Sequence, residues 1–139
     1  MEIPKRDLET LSEARRLEAQ ALYRAGQFSG AYYLAGYAVE LAIKACIAGN
    51  FRAEVLPDRG FVQRIYSHSL EDLMGLAGLR KDFDQDRRAD RNLDAAWGIV
   101  KDWSAQSRYV LWDAISADLL IRAVGDDTSG VLQWLRAHF

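Results

Sequence analysis

The chain has 139 residues, 50% of them hydrophobic and 27% charged, which excludes a disordered chain and predicts one domain over residues 1–139. Its formal net charge of -2 excludes the strongly basic balance of a typical nucleic-acid-binding domain, although a local basic patch is compatible with it. Cys46 is the only cysteine, so an internal disulfide is impossible and a cysteine-built zinc site is not expected. The charged opening MEIPKRDLETLSEARR differs from a signal peptide and predicts a cytoplasmic protein.

Two long helices are predicted in the first fifty residues. The first ends near Gly26 and carries small and apolar residues at steps of three and four, namely Leu11, Ala14, Leu17, Ala21 and Ala25. The second lies between Gly26 and Gly49, and its only charged residues are Glu40 and Lys44. Such low polarity around the whole circumference indicates the central helix of a bundle. A transmembrane span is the alternative, but the two charges would then lie in hydrocarbon, so no membrane association is expected.

The middle of the chain is predicted to be less regular. From Phe51 to Ser67 the periodicity fails around Pro57, which indicates a long loop with one extra helical turn at most. A short helix is expected to start at Ser69, with Asp72 three residues later in the position of a capping box. The following run, RKDFDQDRRADRN, mixes charges of both signs and is interpreted as a solvated face or a mobile connector.

The last third of the chain is again predicted to be mainly helical. A helical stripe is formed by Leu93, Trp97, Val100 and Trp103. The segment SRYVLWDAI is expected to cross the bundle in extended form, and a single helix is expected from Ser116 to His138, weakened at Gly125 and Gly130. No stretch alternates as a strand would, so the fold class is all-α.

Signatures of metal or cofactor chemistry are absent from the sequence. There is no His-x-x-x-His pair and no glycine-rich phosphate loop, and the histidines are His68 and His138 alone. We therefore expect neither a metal nor a cofactor.

Three polar features are candidates for a site. On the central helix Tyr33, Tyr37, Glu40 and Lys44 recur at steps of four, three and four, so they share one side of an apolar helix. They form either a structural Glu40–Lys44 pair or a polar strip that faces a groove or a partner subunit.

The other two candidates lie in the second half of the chain. His68 precedes the short helix, where it either bonds a neighbouring group or takes part in chemistry. Arg108 stands beside Tyr109 and near Trp112, an arrangement that suits a stacked structural clamp and an anion site equally well.

The order of several motifs resembles one known family. AYYLAGYAVELAIKACIA is followed by HSLEDLMGLAGL, by a tryptophan-containing helix that leads into SRY, and by GVLQWLRAHF. This succession, over nearly the whole chain, is similar to the higher eukaryotes and prokaryotes nucleotide-binding family, called HEPN. The resemblance implies an all-α fold that is an up-and-down bundle of four to five helices and commonly dimeric. The family contains ribonuclease toxins and small partners of minimal nucleotidyltransferases.

The ribonuclease mechanism of the family does not carry over to this sequence. Those enzymes resemble one another in an arginine followed, after four to six residues, by a histidine near the start of the last long helix. Arg108 stands near the corresponding place, but the positions from Tyr109 to Ile115 contain no histidine. Arg64 and His68 are separated by only three residues and lie ahead of the short helix instead. The histidine that would act as general acid and base in RNA cleavage is therefore missing from its expected place. Of the family's catalytic pair only Arg108 has a counterpart here, and we expect it to act as an anion contact.

Two functions remain open from the sequence. The first is a non-catalytic dimer that binds a nucleotide or a partner protein, such as a minimal nucleotidyltransferase in a toxin–antitoxin-like system. Its groove would be edged by Tyr33, Tyr37, Lys44, His68 and Arg108, and Glu40 and Tyr109 are further candidates for ligand binding. The second is an RNA-cleaving toxin with a non-standard acid and base, for which Arg108, His68 and Tyr109 are the candidates. The dimer contact is expected at the tryptophans Trp97, Trp103, Trp112 and Trp134, because they supply more aromatic surface than a small bundle easily hides.

Overall fold

The computed structural model describes residues 2–139, and their regular structure is helical throughout, without a strand. The all-α prediction is therefore confirmed. The helices are α1 (Lys5–Arg24), α2 (Phe28–Gly49), α3 (Arg59–Ile65), α4 (Leu70–Leu76), α5 (Arg80–Ala89), α6 (Arg91–Val100), α7 (Ala114–Gly125) and α8 (Val131–Arg136), with a 3₁₀ turn at Ala105–Tyr109 between α6 and α7.

Helices α1 and α2 form an antiparallel hairpin with a very short connection. Gly26 adopts a left-handed backbone with φ of 78°, which lets the chain reverse immediately after α1. The two helices then pack along their lengths, and the Ser12 hydroxyl on α1 donates a buried hydrogen bond of 2.7 Å to the Ala38 carbonyl on α2. The predicted stop at Gly26 is thus confirmed.

Helix α2 is the centre of the fold. It contacts α1, α4, α7, α8 and the 3₁₀ turn, and its fully buried side chains include Ala35, Val39, Ala42, Ile43 and Ile47. Among residues 2–139 it is the helix long and apolar enough to cross a membrane, yet 72% of its most apolar window is buried by the other helices. That burial is typical of a core helix. Gly36 has no side chain, and the ring of Trp103 packs directly against its backbone.

The structure corrects the sequence prediction for the C-terminal segment. A single helix from Ser116 to His138 is wrong, because α7 ends at Gly125 and α8 begins at Val131. Between them the Asp126 carboxylate accepts hydrogen bonds from the backbone N–H groups of Thr128 and Ser129, which stabilises a turn instead of a helix.

Three further segments differ from their predictions. Of the two interpretations of the charged run from Arg80, a mobile connector is wrong and a solvated face agrees with the structure: the run forms α5 and the start of α6, its side chains are mostly exposed, and it buries Phe83 in the core. The predicted extended segment is only partly extended, because a 3₁₀ turn runs to Tyr109 and α7 begins at Ala114. The loop after Phe51 contains α3, two turns of helix where one at most was expected.

Two of the four tryptophans expected at a dimer contact are buried in the core of one chain. Trp97 and Trp103 are each 2% exposed within one chain. Trp112 stacks on Tyr32 with ring centroids 3.8 Å apart, and the Trp134 indole N–H donates to the Asp86 carboxylate at 2.8 Å. Trp97 and Trp103 are therefore not available for a dimer contact, whereas Trp112 and Trp134 are half-buried. The exposed large apolar side chains are others, including Leu111 and Ile115.

Candidate functional site

A groove of about 620 Å³ opens between the start of α1, the second half of α2 and α3. Its lining is mainly apolar and comes from Ile3, Pro4, Leu8, Leu41, Ile47, Ala48, Phe51, Val62 and Ile65. Its polar lining consists of Lys5, Tyr37, Glu40, Lys44, Tyr66 and His68. We call this feature the Glu40 groove.

Glu40 is the most deeply placed charge of the groove and is only 3% exposed. Its Oε1 lies 2.9 Å from Nδ1 of His68, and its Oε2 accepts a hydrogen bond of 3.3 Å from Nζ of Lys44. A buried carboxylate needs such partners, because an unpaired charge of low exposure is strongly destabilising. The Lys44 pair follows from the helix spacing of four residues, whereas the His68 contact joins α2 to the residue just before the cap of α4.

His68 has a geometry that leaves one ring nitrogen available. Its side chain is 59% exposed, and Nδ1 faces Glu40. A hydrogen bond donated from Nδ1 to the carboxylate leaves Nε2 as an acceptor in the neutral ring and as a donor in the protonated ring. The local fold holds His68 in place because Ser69 caps α4, its hydroxyl accepting from the Asp72 N–H at 3.3 Å. The predicted start of this helix is confirmed.

Tyr37 adds a hydroxyl to the same wall of the groove. Burial, and then the negative charge of Glu40, raise the pKa of Tyr37 above its ordinary value. The phenol therefore stays protonated at neutral pH and can donate a hydrogen bond.

The remaining predicted residues form a second, exposed cluster at the other end of α2. The Arg108 guanidinium carbon lies 5.0 Å from the centroid of the Tyr109 ring, a cation–π distance. Polar contact with the Tyr109 hydroxyl, and then with the Tyr33 hydroxyl, raises the pKa of Arg108. The Tyr33 and Tyr37 rings, 6.0 Å apart, connect this cluster to the Glu40 groove.

The structure thus brings together four of the seven predicted site residues. Tyr37, Glu40, Lys44 and His68 line one groove, whereas Tyr33, Arg108 and Tyr109 lie outside it. Of the five residues expected to edge one groove, the structure places Tyr37, Lys44 and His68 there and Tyr33 and Arg108 outside it. Arg64, the other arginine considered with His68, lines a different depression, together with Asp72 and Arg80.

Sequence reasoning missed the apolar walls of the groove. Leu8 on α1 and Val62 and Ile65 on α3 were not identified as site residues, although they form most of two sides. The available signal was the two-turn helix after Pro57, whose apolar residues at 61, 62 and 65 follow a helical spacing.

In the described part of the chain, no group of three His, Cys, Asp or Glu residues could hold a metal ion. No family model, no curated protein and no solved structure matches the chain. The resemblance to HEPN proteins therefore rests on the sequence motifs alone.

Proposed function

We propose that this chain is a HEPN-like helical domain that acts in the cytoplasm as a non-catalytic, dimeric binding module. The helix lengths are compatible with a bundle of the family's type: α1, α2, α5, α6 and α7 have ten or more residues each, and the described α3, α4 and α8 are short. The chain as a whole would form one such domain.

The Glu40 groove is the observation that carries the proposal. Its volume lies within the range of about 300–1,000 Å³ that is typical of small-molecule sites, and a few convergent polar groups stand on a mainly apolar lining. Lys44 offers donors to an anion, Tyr37 offers a hydroxyl, and His68 adds a donor when its ring is protonated. The ligand that the resemblance implies is a nucleotide, and the protein partner that it implies is a minimal nucleotidyltransferase.

Calorimetric titration of the purified chain with AMP, ADP, ATP and GMP tests ligand binding. We expect saturable binding that Lys44→Gln weakens by about tenfold, because one charge-assisted hydrogen bond is lost. Arg122→Gln is the matched control, since Arg122 is a highly exposed cation on α7, paired with Asp118 and remote from the groove lining. Equal weakening by both substitutions would contradict a specific role for the groove.

We propose that the dimer contact uses exposed apolar side chains around the start of α7 instead of the tryptophans. Leu111 is 94% exposed and Ile115 is 74% exposed, and Tyr109 lies beside them in the chain. Sedimentation of the purified protein should give a dimer at micromolar concentration, and Leu111→Asp should give the monomer. A wild-type chain that sediments only at 15.7 kDa would contradict the proposed dimer.

RNA cleavage is the second candidate function, because Arg108 and His68 contact the same side of α2. Arg108 contacts Tyr33 and His68 contacts Glu40, two α2 positions seven residues apart on the same side of the helix. The corresponding separation along the helix axis is about 10 Å. Within one chain this is too far for both groups to reach one phosphate, so a shared cleft would need a second subunit. Metal-independent cleavage of single-stranded RNA that Arg108→Ala and His68→Ala both abolish would replace the binding proposal with this one.

A further inference from the structure

The lysines that line the Glu40 groove already have acidic partners within the chain. Nζ of Lys44 donates to Oε2 of Glu40 at 3.3 Å. Nζ of Lys5 lies beside Gly49 at the end of α2 and 3.9 Å from the Glu9 carboxylate. Taking an ionised phosphate out of water is costly unless an unpaired cation receives it. The phosphate of a nucleotide is therefore better placed outside this groove, in water.

The walls of the groove suit a flat ring with apolar faces. Leu8, Leu41 and Ile65 present hydrocarbon, against which ribose hydroxyls or phosphate oxygens would lose their hydrogen bonds to water without replacement. The faces of a purine base carry no hydrogen-bonding groups, so their burial against these walls gains free energy. Phe51 and Tyr66, which are 44% and 76% exposed, line the same groove and offer ring surface on which a base can stack.

The polar side of the groove can bond to the edge of such a base. Beside the Lys44 ammonium the Glu40 carboxylate is ionised, and Nδ1 of His68 donates to it at 2.9 Å. Nε2 of the neutral ring is then an acceptor, which needs an N–H group, and the exocyclic amino group of adenine or guanine supplies one. The Lys44 ammonium carries three donors and directs one at Glu40, so it can also donate to a ring nitrogen of the base.

We infer, on the basis of the proposed nucleotide binding, that the Glu40 groove binds the amino-bearing purine base of a nucleotide and leaves the ribose phosphate in water. The amino group donates to Nε2 of His68, a ring nitrogen accepts from Lys44, and the ring faces lie on the apolar walls. This orientation explains how a groove without net positive charge binds a nucleotide. The phosphate then contributes little to the affinity.

Calorimetric titration of the full chain with AMP, adenosine and ribose 5-phosphate tests which part of the nucleotide is bound. We expect adenosine to bind within about threefold of AMP, because a phosphate in water is screened. Ribose 5-phosphate should bind about tenfold or more weakly than AMP, because it lacks the stacked base. Purine riboside, which has hydrogen in place of the amino group of adenosine, should bind about fivefold more weakly than adenosine, because one hydrogen bond is lost.

Substitutions test the two contacts with the base edge. Lys44→Gln should weaken AMP and adenosine by the same factor, about tenfold, whereas Arg122→Gln should change neither. His68→Leu should weaken adenosine and leave purine riboside almost unchanged, so the difference between the two nucleosides should disappear. The two nucleosides compared on the unsubstituted chain test the amino-group contact even if His68→Leu perturbs Glu40.

The outcomes separate this inference from the proposed function on which it rests. Three results would overturn the inference and leave nucleotide binding in place: ribose 5-phosphate that binds as tightly as AMP, adenosine that binds more than about threefold more weakly than AMP, or Lys44→Gln that weakens AMP but not adenosine. Equal binding of adenosine and purine riboside would also overturn it. If neither adenosine nor any of the nucleotides binds, the inference and the proposed ligand-binding function both fail.

Discussion

The close packing of Trp103 on Gly36 gives the sharpest test of the core. A methyl group added at Gly36 would lie closer than 3.0 Å to three carbons of the Trp103 ring, whereas non-bonded carbons prefer about 3.5–4.0 Å. The Trp103 ring is 2% exposed, so any movement away from the added methyl group would expose buried apolar surface or displace neighbouring core residues. Overpacking of a core costs about 1–3 kcal/mol, and contacts this short put the cost between about 3 kcal/mol and the upper bound of about 5 kcal/mol set by displacement of a tryptophan. Replacing glycine by alanine within a helix stabilises the fold by about 1 kcal/mol through helix propensity, which partly offsets this cost. We expect Gly36→Ala to lower the free energy of unfolding by about 2–4 kcal/mol.

Urea denaturation followed by circular dichroism measures this change, with Gly98→Ala as the matched control. Gly98 is an exposed glycine within α6, and a methyl group added there meets no atom within 4 Å. That substitution should raise the free energy of unfolding by about 0.5–1 kcal/mol. In a Trp103→Leu background the cost of Gly36→Ala should shrink, because the clashing ring is gone. If Gly36→Ala proves as stable as the wild type, the reasoning about this contact is refuted.

Three further predictions concern other parts of the molecule. Burial raises the pKa of Cys46 to about 11 from an ordinary 9.0, so the thiolate is about a hundredfold scarcer at pH 8 than for a free cysteine. Labelling by a disulfide reagent should therefore proceed only through unfolding, and rapid labelling of the native chain would disprove this. Asp90→Ala removes the carboxylate that accepts from the Asn92 and Leu93 N–H groups at the start of α6, and urea denaturation should show a loss of about 1–2 kcal/mol, with no loss counting against the cap. The Arg16 hydrogen bond lowers the pKa of Glu13 below 4.5, so the ionised carboxylate stabilises the fold above pH 4.5 and this stabilisation is lost as the pH falls through the lowered pKa. Thermal melting between pH 3 and 6 should show that the melting temperature of Glu13→Gln falls less on acidification than that of the wild type. Identical pH profiles would argue against this role of Glu13.

The helices that could be predicted are those whose signals are local. The reversal at Gly26 needs a residue that tolerates positive φ, and the start of α4 needs a side chain such as the Ser69 hydroxyl to cap the helix. In both cases the residue at the helix boundary itself carries the signal in the sequence. The break between α7 and α8 was not predicted, although Asp126 and Ser129 are turn-forming residues. The apolar residues of the two helices keep one helical spacing across the break, and this pattern favoured a single helix.

The site could be predicted only where it follows one helix. Glu40 and Lys44 are four residues apart and had to share a side of α2. The contact of Glu40 with His68 joins residues 28 positions apart, and it depends on how α4 docks on α2. The walls from α1 and α3 depend in the same way on tertiary packing, which periodicity does not encode.

The central position of α2 has a consequence for synthesis on the ribosome. The hairpin of α1 and α2 is local in sequence and closes a very short loop, so it can form as soon as Gly49 has emerged. The opposite side of α2, however, is covered by α7 and α8, which are made some seventy residues later. During that interval the nascent chain carries an apolar helix with one bare side, a surface prone to aggregation. We expect the α1–α2 hairpin to depend on chaperones during translation until α7 and α8 have packed against α2.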